Sequence, residues 1–435
     1  MRSTRKESPE ESPGRIVVRQ LRSGVLADPT FVTAMAIAVV VALGFGVVVP
    51  VLPLFARDFG VGLFEVSLVV SVFAATRLVS NVYAGALTDR IGMRTSICWG
   101  AGIVALSSLL VAGAPNYVAL LVLRGLGGVG SALFLNALLA FIVRTVSPDQ
   151  RARAVGMLQG AFLFGISLGP SVGGLLAEPL GLRWPFVIYA AFCGAAAVVA
   201  YLFLPVTDAR AAVDDVTIPE GPDGGLAADP RGFGPIWRAA RQLCTDRTFV
   251  AALIMMGASR WAATGLRFSL LPVFGAEEIG AGPFLVGLAL TVAALAQLAA
   301  LWPAGRIADT IGRRPLAVPA YLAFGVVAAT FGLAGTLPAF FVMVTLYGLG
   351  TGFTSVVPPA VAGDVAPAQR SGLAMGVLNT AGDLGVVLGP LVSGLLADRV
   401  GYGWGFGVAG VVLVVAALAA ARMRETLGSA ATTVA

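Results

Sequence analysis

Long apolar runs alternate with short polar breaks along almost the whole chain. A bilayer core about 30 Å thick needs roughly 20 apolar residues per helix. By that measure the pattern predicts spans at 30–55, 64–87, 95–114, 117–143, 152–177 and 184–205. A second set falls at 247–274, 283–305, 315–336, 338–362, 371–397 and 402–421. The expected fold is an all-α membrane protein with twelve transmembrane helices in two six-helix bundles. The expected boundaries are a cytoplasmic tail 1–29, an N-terminal bundle 30–205, a cytoplasmic linker 206–246, a C-terminal bundle 247–424 and a cytoplasmic tail 425–435. The linker holds Asp214, Asp215 and a Pro- and Gly-containing run at 219–225, a flexible composition. Its end sets Ile236, Trp237 and Leu243 beside Arg238 and Arg241, which reads equally as a surface helix or as a solvated segment.

The two sets of spans are copies of each other at a shift of 220 residues. Gly85, Asp89 and Gly92 answer to Gly305, Asp309 and Gly312, and Gly156, Gly165, Gly169 and Pro170 to Gly376, Gly385, Gly389 and Pro390. One constant shift across separate blocks means that six spans are repeated in the same orientation. Parallel repeats of this kind place a solute site between the halves near the midplane.

Composition narrows the chemistry. The chain has 435 residues, 57% of them hydrophobic and only 12% charged, against about 25% charged in a soluble domain. There is no His, and the single Lys is Lys6 in the tail. A His-based triad, an imidazole relay and a phosphate-cradling GxxxxGK[ST] loop are therefore excluded, so the chain by itself is no P-loop ATPase. Cys98, Cys193 and Cys244 are too dispersed for a metal site or a disulfide framework. No cofactor or metal is expected. The loops on the far side hold only Arg57, Arg183 and Arg399, and Arg77, Arg124, Arg260 and Arg267 fall inside spans. The remaining cations sit in the tails, the linker and the alternate loops. This bias predicts both termini cytoplasmic, and the net charge of +6 then reflects topology rather than nucleic-acid binding.

The loop after the second span reads Gly85-Ala86-Leu87-Thr88-Asp89-Arg90-Ile91-Gly92-Met93-Arg94. It resembles the signature loop of the major facilitator superfamily. The fifth span, with Gly156, Gly165, Gly169, Pro170, Gly173 and Gly174, is similar to the superfamily's drug and metabolite exporter motif. Gly165, Gly169 and Gly173 form one small-residue stripe, which also suits plain helix packing, and Pro170 is expected to loosen the helix. The fourth span carries Arg124 before Gly125, Gly127, Gly128 and Gly130, similar to the family's fourth-helix motif, whereas the corresponding segment of the second half carries Tyr347. The resemblance implies a secondary transporter, not an enzyme. It implies a conformational latch in Gly85, Asp89, Arg90, Gly92, Arg94 and Asp309, with Asp89 facing the eleventh span near Ser371. It also implies a cavity role for Arg124 in proton transfer. GxGxxG at Gly125–Gly130 and GxSxG around Ser167 are packing: the first follows no strand and the second has no His to serve it.

Ionisable residues within spans are costly and mark function. Asp383 is the one acid expected deep in a span, at a depth matching Arg77 to within about one helical turn. We expect these two to pair across the halves, either as a protonation switch or as a static salt bridge. Arg124, Asn136, Arg260, Trp261, Thr264, Tyr347 and Thr351 are expected to line the solute cavity, with Thr354 and Ser355 as further contacts. Arg267 is expected to snorkel to the far surface. The expected function is proton-coupled export of hydrophobic drugs or small metabolites by a monomer in a cell (inner) membrane. The alternatives are an importer or facilitator of a small organic anion and, in another class, a non-transporting sensor or scaffold.

Overall fold

The computed structural model describes residues 28–147, 150–205, 240–367 and 370–427. The tail and most of the linker, including Ile236, Trp237 and Arg238, lie outside them. Among the described residues there are helices and connecting turns, with no strand. Twelve helices are long and apolar enough to cross a membrane: Pro29–Arg57, Leu63–Ile91, Met93–Ala112, Tyr117–Thr145, Arg153–Leu180 and Trp184–Phe203, then Arg247–Glu277, Pro283–Thr310, Arg313–Leu333, Leu337–Val365, Ser371–Val400 and Tyr402–Arg422. They are called the first to twelfth spans below.

The internal repeat extends to backbone detail. Among the described residues, positive φ occurs at Gly60, Gly92 and Gly181 and at Gly280, Gly312 and Gly401. These are three pairs at the 220-residue shift, so the same left-handed turns close the same helices in each half. The fourth and tenth spans likewise start at matched caps, Asn116 accepting from the Ala119 N–H and Thr336 from the Ala339 N–H.

Within the first half the first span packs on the fifth and sixth, the second on the fourth, and the third on the fourth and sixth. In the second half the seventh packs on the eleventh and twelfth, the eighth on the tenth, and the ninth on the twelfth. The halves meet along two seams, second against eleventh and fifth against eighth. Lipid tails give little hydrophobic drive between helices, so close backbone approach supplies the cohesion. A methyl at Gly165 would stand 2.7 Å from the Leu43 nitrogen, at Gly169 2.5 Å from Gly46, and at Gly173 on top of the Val47 carbonyl oxygen. The glycine stripe of the fifth span is thus its contact with the first. That helix runs unbroken through Pro170, contrary to the expected loosening. Apolar side chains such as Trp99, Leu106, Val122, Val198, Tyr201, Val411 and Leu418 point outward and are more than half exposed, as a lipid-facing surface requires.

Three spans are not uniform. The first breaks at Val49-Pro50 and the tenth at Val356, just before Pro358-Pro359. The seventh winds as a wide π-helix over Trp261–Leu270. Such widened turns cluster at functional sites.

Candidate functional site

The site stands between the halves, at mid-depth. Toward the face opposite the Arg-rich loops the halves are joined. Arg57 Nε lies 2.5 Å from Glu277 Oε1, and the Tyr402 hydroxyl donates to Glu277 Oε2 at 2.6 Å. The Leu63 N–H donates to Asp398 at 2.8 Å, so an acid of the eleventh span caps the start of the second. Deeper in, Ser71 Oγ donates to the Val387 carbonyl at 2.8 Å, and Ser171 Oγ stands 2.7 Å from Thr291 Oγ1. Toward the Arg-rich face the halves part. Gly85, Gly156, Gly305 and Gly376 have nothing within 4 Å of where a Cβ would stand, and Asn379 and Thr380 are exposed.

Between these levels lies a cavity of about 240 Å³. Its walls include Phe45, Phe73 and Phe268, aliphatic side chains of the first, second, fifth and eleventh spans, and the polar residues Arg77, Arg124, Arg260, Thr264, Arg267 and Gln297. All four intramembrane arginines line it, and no carboxylate does. The wide π-helical segment contributes Ala263, Thr264, Arg267 and Phe268 to one wall.

Arg77 NH2 stands 3.6 Å from Asp383 Oδ1, with both side chains about 30% exposed. That is an ion pair without close hydrogen-bond contact. The stem of Arg260 packs where a Cβ on Gly382 would lie, next to Asp383. Asp383 thus pairs with Arg77, and Arg260 lies beside it. Arg124 is buried, with its guanidinium carbon 4.6 Å from the centre of the Phe73 ring. Arg267 is 6% exposed and donates to Gln297 Oε1 at 3.2 Å and to the Leu290 carbonyl at 2.9 Å. It does not snorkel outward. The widened turn holds it facing the cavity, where an amide and a carbonyl receive it.

Four expected cavity residues are used elsewhere. Asn136 donates to Asn81 at 2.9 Å, joining the fourth and second spans. Trp261 Nε1 donates to Ser393 at 3.1 Å. Tyr347 is buried and its hydroxyl donates to the Ala262 carbonyl, bracing the π-helical segment from behind. Thr351 is buried and bonds back to the Tyr347 carbonyl. Thr354 and Ser355 also bond back to their own helix. A polar side chain in a span has its own helix or a neighbour as an alternative partner, and these residues take it. Gln297, a cavity residue in the structure, was not among those expected. Its position is that of Arg77 moved by 220 residues, which was the available signal.

On the Arg-rich face, Asp89 pairs with Arg144 at 3.5 Å, in its own half, rather than with the eleventh span. Arg94 donates to the Tyr201 carbonyl and lies 4.8 Å from that ring's centre. Asp309 pairs with Arg313 at 2.5 Å, and Arg313 also reaches Asp364 at 3.3 Å. Among the described residues no cluster of three or more His, Cys, Asp or Glu is placed to hold a metal.

A duplicated twelve-helix chain with a cavity between its halves has the architecture of a membrane transporter. The sequence profile of the Major Facilitator Superfamily matches residues 34–274 and 253–432, and the chain belongs to that family. An uncharacterised transporter of the family from Methanocaldococcus jannaschii is 23% identical over 82% of this chain and 89% of its own length. The quinolone resistance protein NorA of Staphylococcus aureus is 29% identical over 37% of this chain, a match spanning 40% of NorA. Among solved structures, a bacterial homologue of the human lysosomal transporter Spinster, inward-facing and unoccupied, superposes with a TM-score of 0.70 at 16% identity. That match covers 90% of this chain and 95% of the other. The occupied inward-facing form of the same homologue gives 0.71 at 15% identity, over 94% and 97% of the two chains. These likenesses establish the fold.

Proposed function

We propose that this transporter is a proton-linked exporter working by alternating access, as a monomer in a bacterial inner membrane with both termini cytoplasmic. The two bundles, 30–205 and 247–424, rock about the central cavity, joined by the cytoplasmic linker 206–246. With the Arg-rich face cytoplasmic, the described conformer is open inward and closed outward.

The observation that carries the reading is the Arg77–Asp383 pair, 3.6 Å across the seam beside the cavity. A loose pair between two bodies that move apart is a point where a proton can act. Protonating Asp383 removes its attraction for Arg77 and Arg260 and frees the second and eleventh spans to shift. The exporter-like glycine pattern of the fifth span and the name of NorA support the outward direction.

The test is efflux of fluorescent hydrophobic dyes, one cationic and one anionic, from cells expressing the protein, with and without an uncoupler. Uncoupler-sensitive efflux in wild type that disappears in Asp383→Asn is the expected result. Efflux by Asp383→Asn with unchanged pH dependence would remove Asp383 from coupling. The arginine-lined cavity favours one second reading, uptake or facilitation of a small organic anion. Right-side-out vesicles that accumulate a labelled carboxylate would select it.

A further inference from the structure

We infer that the solute is a small organic anion recognised by the two sealed arginines of the cavity wall, Arg124 of the first half and Arg267 of the second. The inference rests on the transport reading above and names its substrate class. Both side chains are nearly sealed, at 4% and 6% exposure, and the Nε of each has no hydrogen-bond partner. Neither makes an ion pair among the described residues. A guanidinium stays charged in a protein and cannot avoid burial cost by losing its proton. Burying a charge without an ionic partner is costly, so two such arginines in the wall of one cavity point to an anionic ligand. Asp383 is already engaged by Arg77 and lies beside Arg260.

The walls define the rest of the ligand. Phe45 stacks on Phe73 with ring centres 5.9 Å apart and meets Phe268 of the other half edge-on at 6.0 Å. An apolar or aromatic body fits against these rings while a carboxylate takes the forked donors of the arginines. At about 240 Å³ the cavity is smaller than the ~300–1,000 Å³ common for drug-sized ligands. The ligand is therefore metabolite-sized, on the scale of a benzoate.

The test is calorimetric titration of the purified full-length protein in detergent with benzoate, its neutral isostere benzamide, chloride and phosphate. Benzoate should bind saturably and at least tenfold more tightly than the other three. Arg124→Gln and Arg267→Gln should each lose tenfold or more, Arg124→Lys and Arg267→Lys less, and Arg306→Gln, outside the cavity, nothing. Benzamide matching benzoate, or full affinity in both Gln variants, overturns the inference. Chloride or phosphate matching benzoate overturns it as well, since the rings would then contribute nothing. If the variants fail to fold, the comparison of benzoate with benzamide on wild type decides alone. Flux in proteoliposomes separates the two readings. Benzoate that binds but never crosses would refute transport and keep the anion site. An uncharged dye that crosses while benzoate neither binds nor competes would keep transport and refute the anion.

Discussion

Two adjacent glycines of the fifth span face different partners, and so answer different questions. A methyl on Gly173 would overlap the Val47 carbonyl oxygen inside the first half, and one on Gly174 would overlap the Pro283 carbonyl oxygen across the seam. Gly173→Ala should therefore lower the stability of the protein, by about 1–3 kcal/mol for overpacking of a tight contact. Gly174→Ala should leave that stability nearly unchanged and instead disfavour closure of the far face. Thermal unfolding in detergent reads the first effect. Thiol labelling from the far side at Ser171→Cys, with the native cysteines replaced, should rise in the Gly174→Ala background. Equal loss of stability in both would mean that Gly174 serves packing alone. At this scale the sequence was informative where chemistry is rare: no His, and four arginines and one acid deep within spans. It was less informative for Asn136, Trp261, Tyr347 and Thr351. Their polarity is visible, but whether a side chain turns to its own helix, to a neighbour or to the cavity is decided by packing.

At the scale of elements, the helix ends were legible and the helix interiors were not. Caps and turn glycines are local signals, so the twelve spans fall within a few residues of the hydropathy pattern. The π-helical segment of the seventh span has no such signal, yet it turns Arg267 inward and so changes the chemistry of the cavity. The start of the ninth span is capped from a distance: the Glu425 carboxylate accepts from the backbone N–H groups of Arg313 and Arg314 at 2.9 and 3.0 Å. Partial burial pushes the Glu425 carboxyl up, but four backbone N–H donors together outweigh it and hold it below its ordinary value of 4.5. A carboxylate whose folded pKa is depressed stabilises fully above its unfolded value and loses that contribution as pH falls through the folded one. Glu425→Gln should cost about 0.5–1 kcal/mol at pH 7, the lower range for a helix N-cap since the group is largely solvated. The gap to wild type should close below about pH 4.5. Melting curves of both proteins across that interval check it, and a gap that persists in acid would point to shape rather than charge.

Over the whole molecule, the duplication makes the backbone symmetric and leaves the charges asymmetric. At the 220-residue shift Arg77 corresponds to Gln297, Arg124 to Val344, Arg260 to Val40, Arg267 to Val47 and Asp383 to Leu163. Each arginine of the cavity, like the acid beside it, is thus present once, in one half only, and none is repeated in the other. The far-face closure is the exception that proves testable. Arg57 and Glu277 occupy the same repeat position and meet on the axis with opposite charges, 2.5 Å apart. Tyr402 adds a hydrogen bond to Glu277, whereas its repeat counterpart is Leu182, which has no hydroxyl. Both side chains are about one-third exposed, so the pair contributes about 0.2–1 kcal/mol, a shift of up to about fivefold between open and closed populations. Arg57→Glu should set two acids against each other and raise labelling of Leu52→Cys, a cavity position, from the far side. Combining it with Glu277→Arg restores the pair on the axis but not the Tyr402 bond, so labelling should fall back most of the way without reaching the wild-type level. A double reversal as open as the single one would show that this contact does not hold the far face shut, and would leave the Asp398 cap on Leu63 and the glycine seams to do so.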